Sequence, residues 1–201
     1  MSRLMVSKQV PNLQDQHRPG AMFDDIGQLL NTGTQFPTIY ADPPWEYQNS
    51  ASRAAACNHY STMSLDQICA MPIEQLATDN APLHLWATNP LLPLAFKVID
   101  AWGFSYRSCF VWTKERLGMG NYWRVSHEFL LLGVRGSLRF AQRDKRSWQT
   151  WKRTRHSKKP NAMRCMIEKV SPGPYLELFG REEIPNSDWT VFGNQIERRL
   201  F

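Results

Sequence analysis

Apolar residues come in short runs divided by proline, glycine and polar clusters, and the runs switch between the two-residue period of strands and the 3.6-residue period of helices. Thr38-Ile-Tyr-Ala-Asp42 is β-branched and aromatic and is halted by Pro43 and Pro44, which predicts a strand ending at Asp42. Residues 49–61 are small and polar without apolar period and read as a loop. Ser64, with Gln67 three positions on, predicts a helix start with a capping box. Pro82 to Thr88 alternates like a strand, and Pro93 to Trp102 has helical spacing with Gly103 placed to end it. Tyr106 to Lys114 predicts a strand, Gly118 and Gly120 a loop, and His127 to Val134 a further strand. Pro160 opens a predicted helix through Val170, which Ser171-Pro-Gly-Pro174 breaks. Tyr175 to Phe179 and Trp189 to Phe192 read as closing strands.

Strands alternating with helices predict an α/β fold with a mostly parallel sheet covered by helices on both faces. Ligands in such sheets bind beyond the carboxyl ends of strands, which places Asp42, Lys114 and Arg181 on the functional rim. Residues 1–20 are polar, contain Pro11 and Pro19 and lack the apolar centre of a secretory signal. They are expected to form a flexible arm, with 21–201 as one domain.

A chain of 201 residues, 42% apolar, supports one well-packed domain and excludes wholesale disorder. The longest apolar run, Phe129 to Val134, is far short of the roughly 18–20 residues of a membrane span. The four cysteines form no C-x-x-C pair and have no histidine at ligand spacing. Reduced thiols, a cytoplasmic location and no metal are therefore expected. The net charge of +6 becomes informative once located: between Arg135 and Lys159 lie ten Lys/Arg residues and one acid, Asp144, so this window carries +9 and the other residues −3. Trp148 and Trp151 are interleaved in it. Cations beside rings that stack on bases suit a nucleic acid, and Arg143, Lys145, Arg146, Trp148, Trp151, Lys152 and Arg153 are the candidate contacts. A solvated loop with two half-buried tryptophans has the same composition.

The turn after the first of these strands carries candidate chemistry. An exocyclic adenine amine is a weak nucleophile because its lone pair is delocalised into the ring. Acceptors aimed at its two N–H bonds would hold it in line with a methyl donor and make it more amine-like. Asp42 offers a carboxylate, Pro43 and Pro44 fix a backbone carbonyl, and Trp45 offers a ring to stack on the base. A plain proline turn would explain the prolines but neither the acid before them nor the aromatic after.

Tyr40-Ala-Asp-Pro-Pro-Trp45, His59-Tyr-Ser-Thr-Met-Ser64, Leu85-Trp-Ala-Thr-Asn89, Ala101-Trp-Gly-Phe104 and Phe110-Val-Trp-Thr-Lys114 follow one another along the chain. His127-Glu-Phe-Leu-Leu-Leu-Gly133, His156-Ser-Lys-Lys-Pro160, the stretch Ser171 to Arg181, and Gly193-Asn-Gln195 complete the series. In this order, over about residues 36–196, the chain resembles the MT-A70 family of adenine methyltransferases. That family includes the catalytic subunit of the messenger-RNA 6-methyladenine writer and many bacterial and phage proteins.

The resemblance implies a Rossmann-like class I methyltransferase fold with S-adenosylmethionine as cofactor and a catalytic loop that precedes the cofactor-binding elements. It accounts for the lack of a G-x-G-x-x-G after the first strand. It implies Asp42, Pro43, Pro44 and Trp45 as catalytic loop, with Asp42 also near the methionine moiety of the cofactor. Lys159 corresponds to a lysine at the cofactor carboxylate, Arg181 to an arginine near the ribose, and Asn194 and Gln195 to a pair near ribose and adenine. Asp25 and Ile26 are candidates for adenine contact. Tyr47, Tyr60, Lys114 and Glu128 join the basic segment as substrate-side candidates, although Glu128 also reads as a strand acid paired with a nearby arginine. Glu183 stands where some members carry a histidine, so the contact made there must differ.

Substrate recognition is expected from the loops at 46–62, 115–126 and 135–158, or from a partner subunit, in a monomer or homodimer. A cytosine-amine methyltransferase more often carries Ser in place of the leading Asp, so Asp42 favours adenine. An inactive nucleic-acid-binding partner would be expected to lose the Asp-Pro-Pro-Trp loop and the Asn-Gln pair, both present here. DNA is the favoured acceptor and RNA the alternative.

Overall fold

A computed structural model describes residues 20–46, 62–118, 122–153 and 158–193. The expected arm at 1–20, apart from Gly20, lies outside the described residues, as do Tyr47, Tyr60, Asn194 and Gln195.

The strands are β1 (Met22–Phe23), β2 (Thr38–Ala41), β3 (Ala81–Ala87), β4 (Ser105–Thr113), β5 (His127–Arg135), β6 (Trp148–Thr150), β7 (Tyr175–Leu178) and β8 (Trp189–Phe192). The helices are α1 (Ile26–Asn31), α2 (Leu65–Cys69), α3 (Ile73–Leu76), α4 (Leu92–Ala101) and α5 (Asn161–Val170). One sheet has the order β1-β8-β7-β2-β3-β5-β4-β6. Every strand runs in the same direction except β5, which is antiparallel to β3 and β4 on either side of it. The carboxyl ends of the parallel strands therefore share one rim with the start of β5. The chain turns from β2 to β3 on one side while β7 and β8 fill the other, so the end of β2 is a topological switch point, where crevices form in open α/β sheets.

Local chemistry explains the boundaries. The capping box at α2 is present: Ser64 Oγ accepts from the Gln67 backbone N–H at 3.2 Å, and the Gln67 side chain accepts from the Ser64 N–H at 2.9 Å. Such a cap is worth about 1 kcal/mol. Past α4, Gly103 takes φ 79°, a left-handed turn that glycine adopts without steric cost. The alternating stretch Pro82 to Thr88 forms β3, which is buried at every position. It lies mid-sheet and is covered on both sides. Leu83 and Leu85 pack into the cluster with α2, α3 and α4. Trp86 packs on the other face with Met163 and Ile167 of α5.

The sequence pattern gives no sign of four of these elements: β1, α1, α3 and β6. The first is two residues long and the second six. β6 is an exposed edge strand inside the basic segment, held to β4 by the register Val111↔Trp148 to Thr113↔Thr150.

Candidate active site

Asp42 follows β2 directly, and its backbone N–H reaches Leu178 O of neighbouring β7 at 3.5 Å. The two prolines then turn the chain. Trp45 N donates to Pro43 O at 2.9 Å, and Met63 N donates to Pro44 O at 2.8 Å, which ties the loop to the entry of α2. Each of these carbonyls has a second lone pair, so the backbone acceptor expected of the turn is compatible with both bonds. Trp45 is 7% exposed and donates its Nε1–H to Trp86 O at 3.3 Å. As placed, its ring packs into the core and anchors the loop instead of standing open for a base.

The charged centre is a chain of alternating signs. Lys159, two residues before α5, places Nζ 2.8 Å from Asp42 Oδ2 and 3.3 Å from Glu128 Oε2. Glu128 Oε1 also takes a close hydrogen bond from Lys114 Nζ. The strand acid is thus paired with two lysines and not with an arginine. Register brings the members together: Glu128 lies opposite Trp112 across β4/β5, and Lys114 follows the end of β4, where its N–H donates to Ser126 O at 2.7 Å.

Both lysines rest near indole faces, Lys159 5.5 Å from the Trp86 ring centroid and Lys114 4.7 Å from that of Trp112. These two rings meet edge to face at 5.9 Å. Below them Trp86 Nε1 donates to the Tyr40 hydroxyl at 2.7 Å, and Arg164 forks onto Glu177 at 2.6 and 2.7 Å. The motifs contained Trp86 and Trp112 without indicating a role. A lysine over a ring depends on cross-strand register, which sequence spacing does not encode.

Protonation follows from this packing. Burial pushes the Asp42 carboxyl above the usual range, opposed by Lys159 and reinforced by the nearby Glu128 charge. Burial would also raise Glu128, but Lys159 and Lys114 outweigh it and hold that carboxyl low. For Lys159 burial acts to lower the pKa, and Asp42 with Glu128 overcome it, so the ammonium is held above its ordinary value. Glu128 and Lys159 are thus held in their charged forms, while Asp42 is the carboxyl that burial makes easier to protonate.

Arg181 follows β7 on the same rim, close enough for its charge to act on Asp42. Asp25 and Ile26 follow β1 at this rim as well, with the Asp25 carboxylate capping α1 through Gly27 N at 2.7 Å. Phe179, at the end of β7, has φ 65°, a left-handed conformation uncommon for a non-glycine residue. Such outliers gather at functional sites, although no sequence signal marked this one. Glu183 is exposed, and its neighbour Glu182 pairs with Lys158 at 3.0 Å.

Among the described residues, the basic segment does not form one surface. Arg135 reaches the Glu74 carbonyl at 2.8 Å, Lys145 pairs with Asp144 at 2.9 Å, and Lys158 and Lys159 are paired as described. Arg146, Lys152 and Arg153 are exposed around β6 and its exit toward the rim. Trp148 is 49% exposed, whereas Trp151 is half-buried, stacks on Phe110 at 5.5 Å and accepts Trp112 Nε1–H at its carbonyl. Arg143 lies elsewhere, in a cleft with Arg107 and Leu132 near the opposite end of the sheet.

This geometry meets a clear match among known proteins: the MT-A70 family profile covers residues 36–195. The chain belongs to the MT-A70 family. MT-A70 proteins are class I methyltransferases with S-adenosylmethionine as methyl donor. Among similar proteins is the Type II methyltransferase M.MunI of Mycoplasma sp, 27% identical over 184 residues, spanning 81% of this chain and 78% of the relative. The human N(6)-adenosine-methyltransferase catalytic subunit METTL3 is 29% identical over 174 residues, 81% of this chain but 28% of its own length. The mouse N(6)-adenine-specific methyltransferase METTL4 is 29% identical over 189 residues, 84% of this chain and 39% of its own. The chain thus spans most of the bacterial relative and a minor part of the animal ones.

The residues present fit the amino-acid end of the MT-A70 cofactor. At the switch point the Lys159 ammonium, 2.8 Å from Asp42, is complementary to an α-carboxylate. No helix among the described residues is long and apolar enough to cross a membrane, and no group of three His, Cys, Asp or Glu there could hold a metal.

Proposed function

We propose that this protein transfers a methyl group from S-adenosylmethionine to the N6 amine of adenine in nucleic acid, with DNA as the polymer. The observation that carries the reading is the Asp42–Lys159 pair at the end of the central strand β2, 2.8 Å across and braced by Glu128. The sulfonium supplies an electrophilic methyl group when bound. Lys159 engages Asp42 Oδ2 and leaves Oδ1 to accept an N–H of the amine. Pro43 or Pro44 presents a carbonyl to the second N–H, so the nitrogen lone pair points away from both acceptors and toward the methyl donor. Transfer of that methyl group to the nitrogen would leave the donor sulfur as a neutral thioether. The nitrogen becomes cationic and sheds a proton, and Asp42, its pKa raised by burial, is the base beside it.

Lys159, Arg181, Asn194 and Gln195, with the backbone around Asp25 and Ile26, are the proposed cofactor contacts. Lys114 and Glu128 hold Lys159 in register beside Asp42. Tyr47, Tyr60, Trp148 and the cations at 146, 152 and 153 are proposed for the polymer. A base in duplex must leave the stack to reach Asp42, at a cost of a few kcal/mol. DNA is favoured because a relative matched over most of its length is a bacterial Type II methyltransferase, while the human relative named for adenosine carries this stretch as a minor part of a longer chain. Incubation with labelled S-adenosylmethionine and separate DNA and RNA pools, followed by nucleoside mass spectrometry, is the test. N6-methyldeoxyadenosine is the expected product. Label in RNA alone overturns the choice of polymer, and N4-methylcytosine overturns the base.

A further inference from the structure

The cleft at the far end of the sheet has a composition that the site at the rim does not explain. About 510 Å³ in volume, it is lined by residues that include Leu132 and Phe140 and by Arg107, Arg139 and Arg143. All three arginines are exposed, no carboxylate lines the cleft, and none of them is ion-paired among the described residues. The nearest acid in sequence, Asp144, is taken by Lys145.

The loop carrying Arg139 and Arg143 is braced. Gly136 turns the chain out of β5 at φ 63°, where a Cβ would meet Asp79 O at 2.3 Å. Ser137 N donates to Asn80 Oδ1 at 2.7 Å and Ala141 N to Val170 O at 2.9 Å. Phe140 stacks on buried His84 at 6.1 Å. Three exposed arginines around a cleft that also contains Leu132 and Phe140, with no carboxylate in its lining, suit phosphate groups.

Its position says which phosphates. Arg107 lies six residues before Thr113 along β4, and at about 3.3 Å per residue the cleft is roughly 20 Å from the rim. The edge between them is the β6 side of the sheet, with exposed Arg146 and Trp148. A nucleic-acid strand advances about 3.4 Å per nucleotide, so 20 Å corresponds to about six nucleotides. We infer that Arg107, Arg139 and Arg143 form a second phosphate-binding site, which holds the backbone of the acceptor nucleic acid about six nucleotides to one side of the target adenine. The inference rests on the proposed nucleic-acid substrate and adds a flank requirement to it.

The test measures binding by fluorescence anisotropy and methyl transfer in parallel, on duplexes with four base pairs on each side of the target adenine and one flank extended stepwise to twelve. Wild type should gain at least tenfold in affinity as one flank, and only one, passes about six base pairs. The Arg107→Ala/Arg139→Ala/Arg143→Ala variant should lose that step and keep wild-type binding and turnover on the shortest duplex. The corresponding triple lysine variant should retain it. On the long duplex the salt slope should fall by about 0.9 per lost phosphate contact, a decrease of about 2.7 if all three are lost. Absence of a step in wild type, a step on both flanks, or an equal loss on short and long duplexes overturns the inference. So does removal of the step by millimolar inorganic phosphate at constant ionic strength, which would mark a free-anion site. If no duplex is methylated the functional reading fails, while the anisotropy step still decides this one.

Discussion

Glu128 and Asp42 both touch Lys159, yet replacing each by its neutral amide should affect stability differently, with a loss only at Glu128. Glu128 is held below the ordinary carboxylate range by Lys159 and Lys114, so the native state favours its ionised form and that preference stabilises the fold at neutral pH. Asp42 is held above the ordinary range, chiefly by burial, so its ionisation costs stability at neutral pH. At 3.3 Å the Lys159–Glu128 attraction is about 5 kcal/mol for an effective dielectric near 20, before desolvation is counted. Removing one member of a buried pair costs about 3–5 kcal/mol. Glu128 and Lys159 keep 15% side-chain exposure and glutamine retains an acceptor, so about 2 kcal/mol is expected for Glu128→Gln. At about 2–4 °C per kcal/mol in a domain of this size, Tm should fall by about 4–8 °C. Asp42→Asn leaves Lys159 its Glu128 partner, and Tm should stay at or above wild type while methyl transfer falls by about two to three orders of magnitude. Calorimetry at pH 7.5 beside a transfer assay reads both. Equal destabilisation by the two variants, or a silent Glu128→Gln, would refute the charge assignment.

The same raised Asp42 carboxyl should set the acid limb of the pH–rate profile. Activity should fall as Asp42 takes up a proton, with a midpoint above about 3.9, the usual aspartate value, and a limb at or below that value would remove Asp42 as the group responsible. Lys159 is held above its ordinary value and stays charged throughout this range. His84 gives a separate dependence on stability. Burial pushes its pKa down to about 4, so the unfolded chain binds the proton more readily and stability is fully present above about 6.5 and lost as pH falls toward 4. The loss should reach about 3 kcal/mol by urea titration at pH 4 against pH 7, and His84→Gln should flatten it. An unchanged dependence in that variant would place the effect elsewhere.

Where local pattern determines structure, the sequence was legible. The strand Trp189–Phe192 and the capping box at Ser64 stand as read, and the strand at Thr38 differs only by ending at Ala41, one residue before Asp42. Short elements were not legible. Two residues of β1 and three exposed residues of β6 bury too little to leave a period, and their pairing partners lie far along the chain. The candidate site divides in the same way. Asp42, Lys114, Glu128 and Lys159 could each be named from a motif, but the alternation of charges, and the tryptophans beneath the lysines, arise only from the register of β3, β5 and β4.

The largest difference concerns the basic segment, and its cause is one strand. Charge clustered over residues 135–159 in sequence is expected to cluster in space if the chain stays at one end of the sheet. Because β5 alone runs against the others, it begins at the rim with Glu128 in the site and delivers the chain to the far end at Arg135. The segment must then climb the whole sheet edge before β6 and Lys159 return it to the rim. The reversal that inserts Glu128 between two lysines therefore also spreads the cations over roughly 20 Å, from a braced cleft to the catalytic loop. A parallel strand in that place would have begun at the far end, keeping Glu128 out of the site.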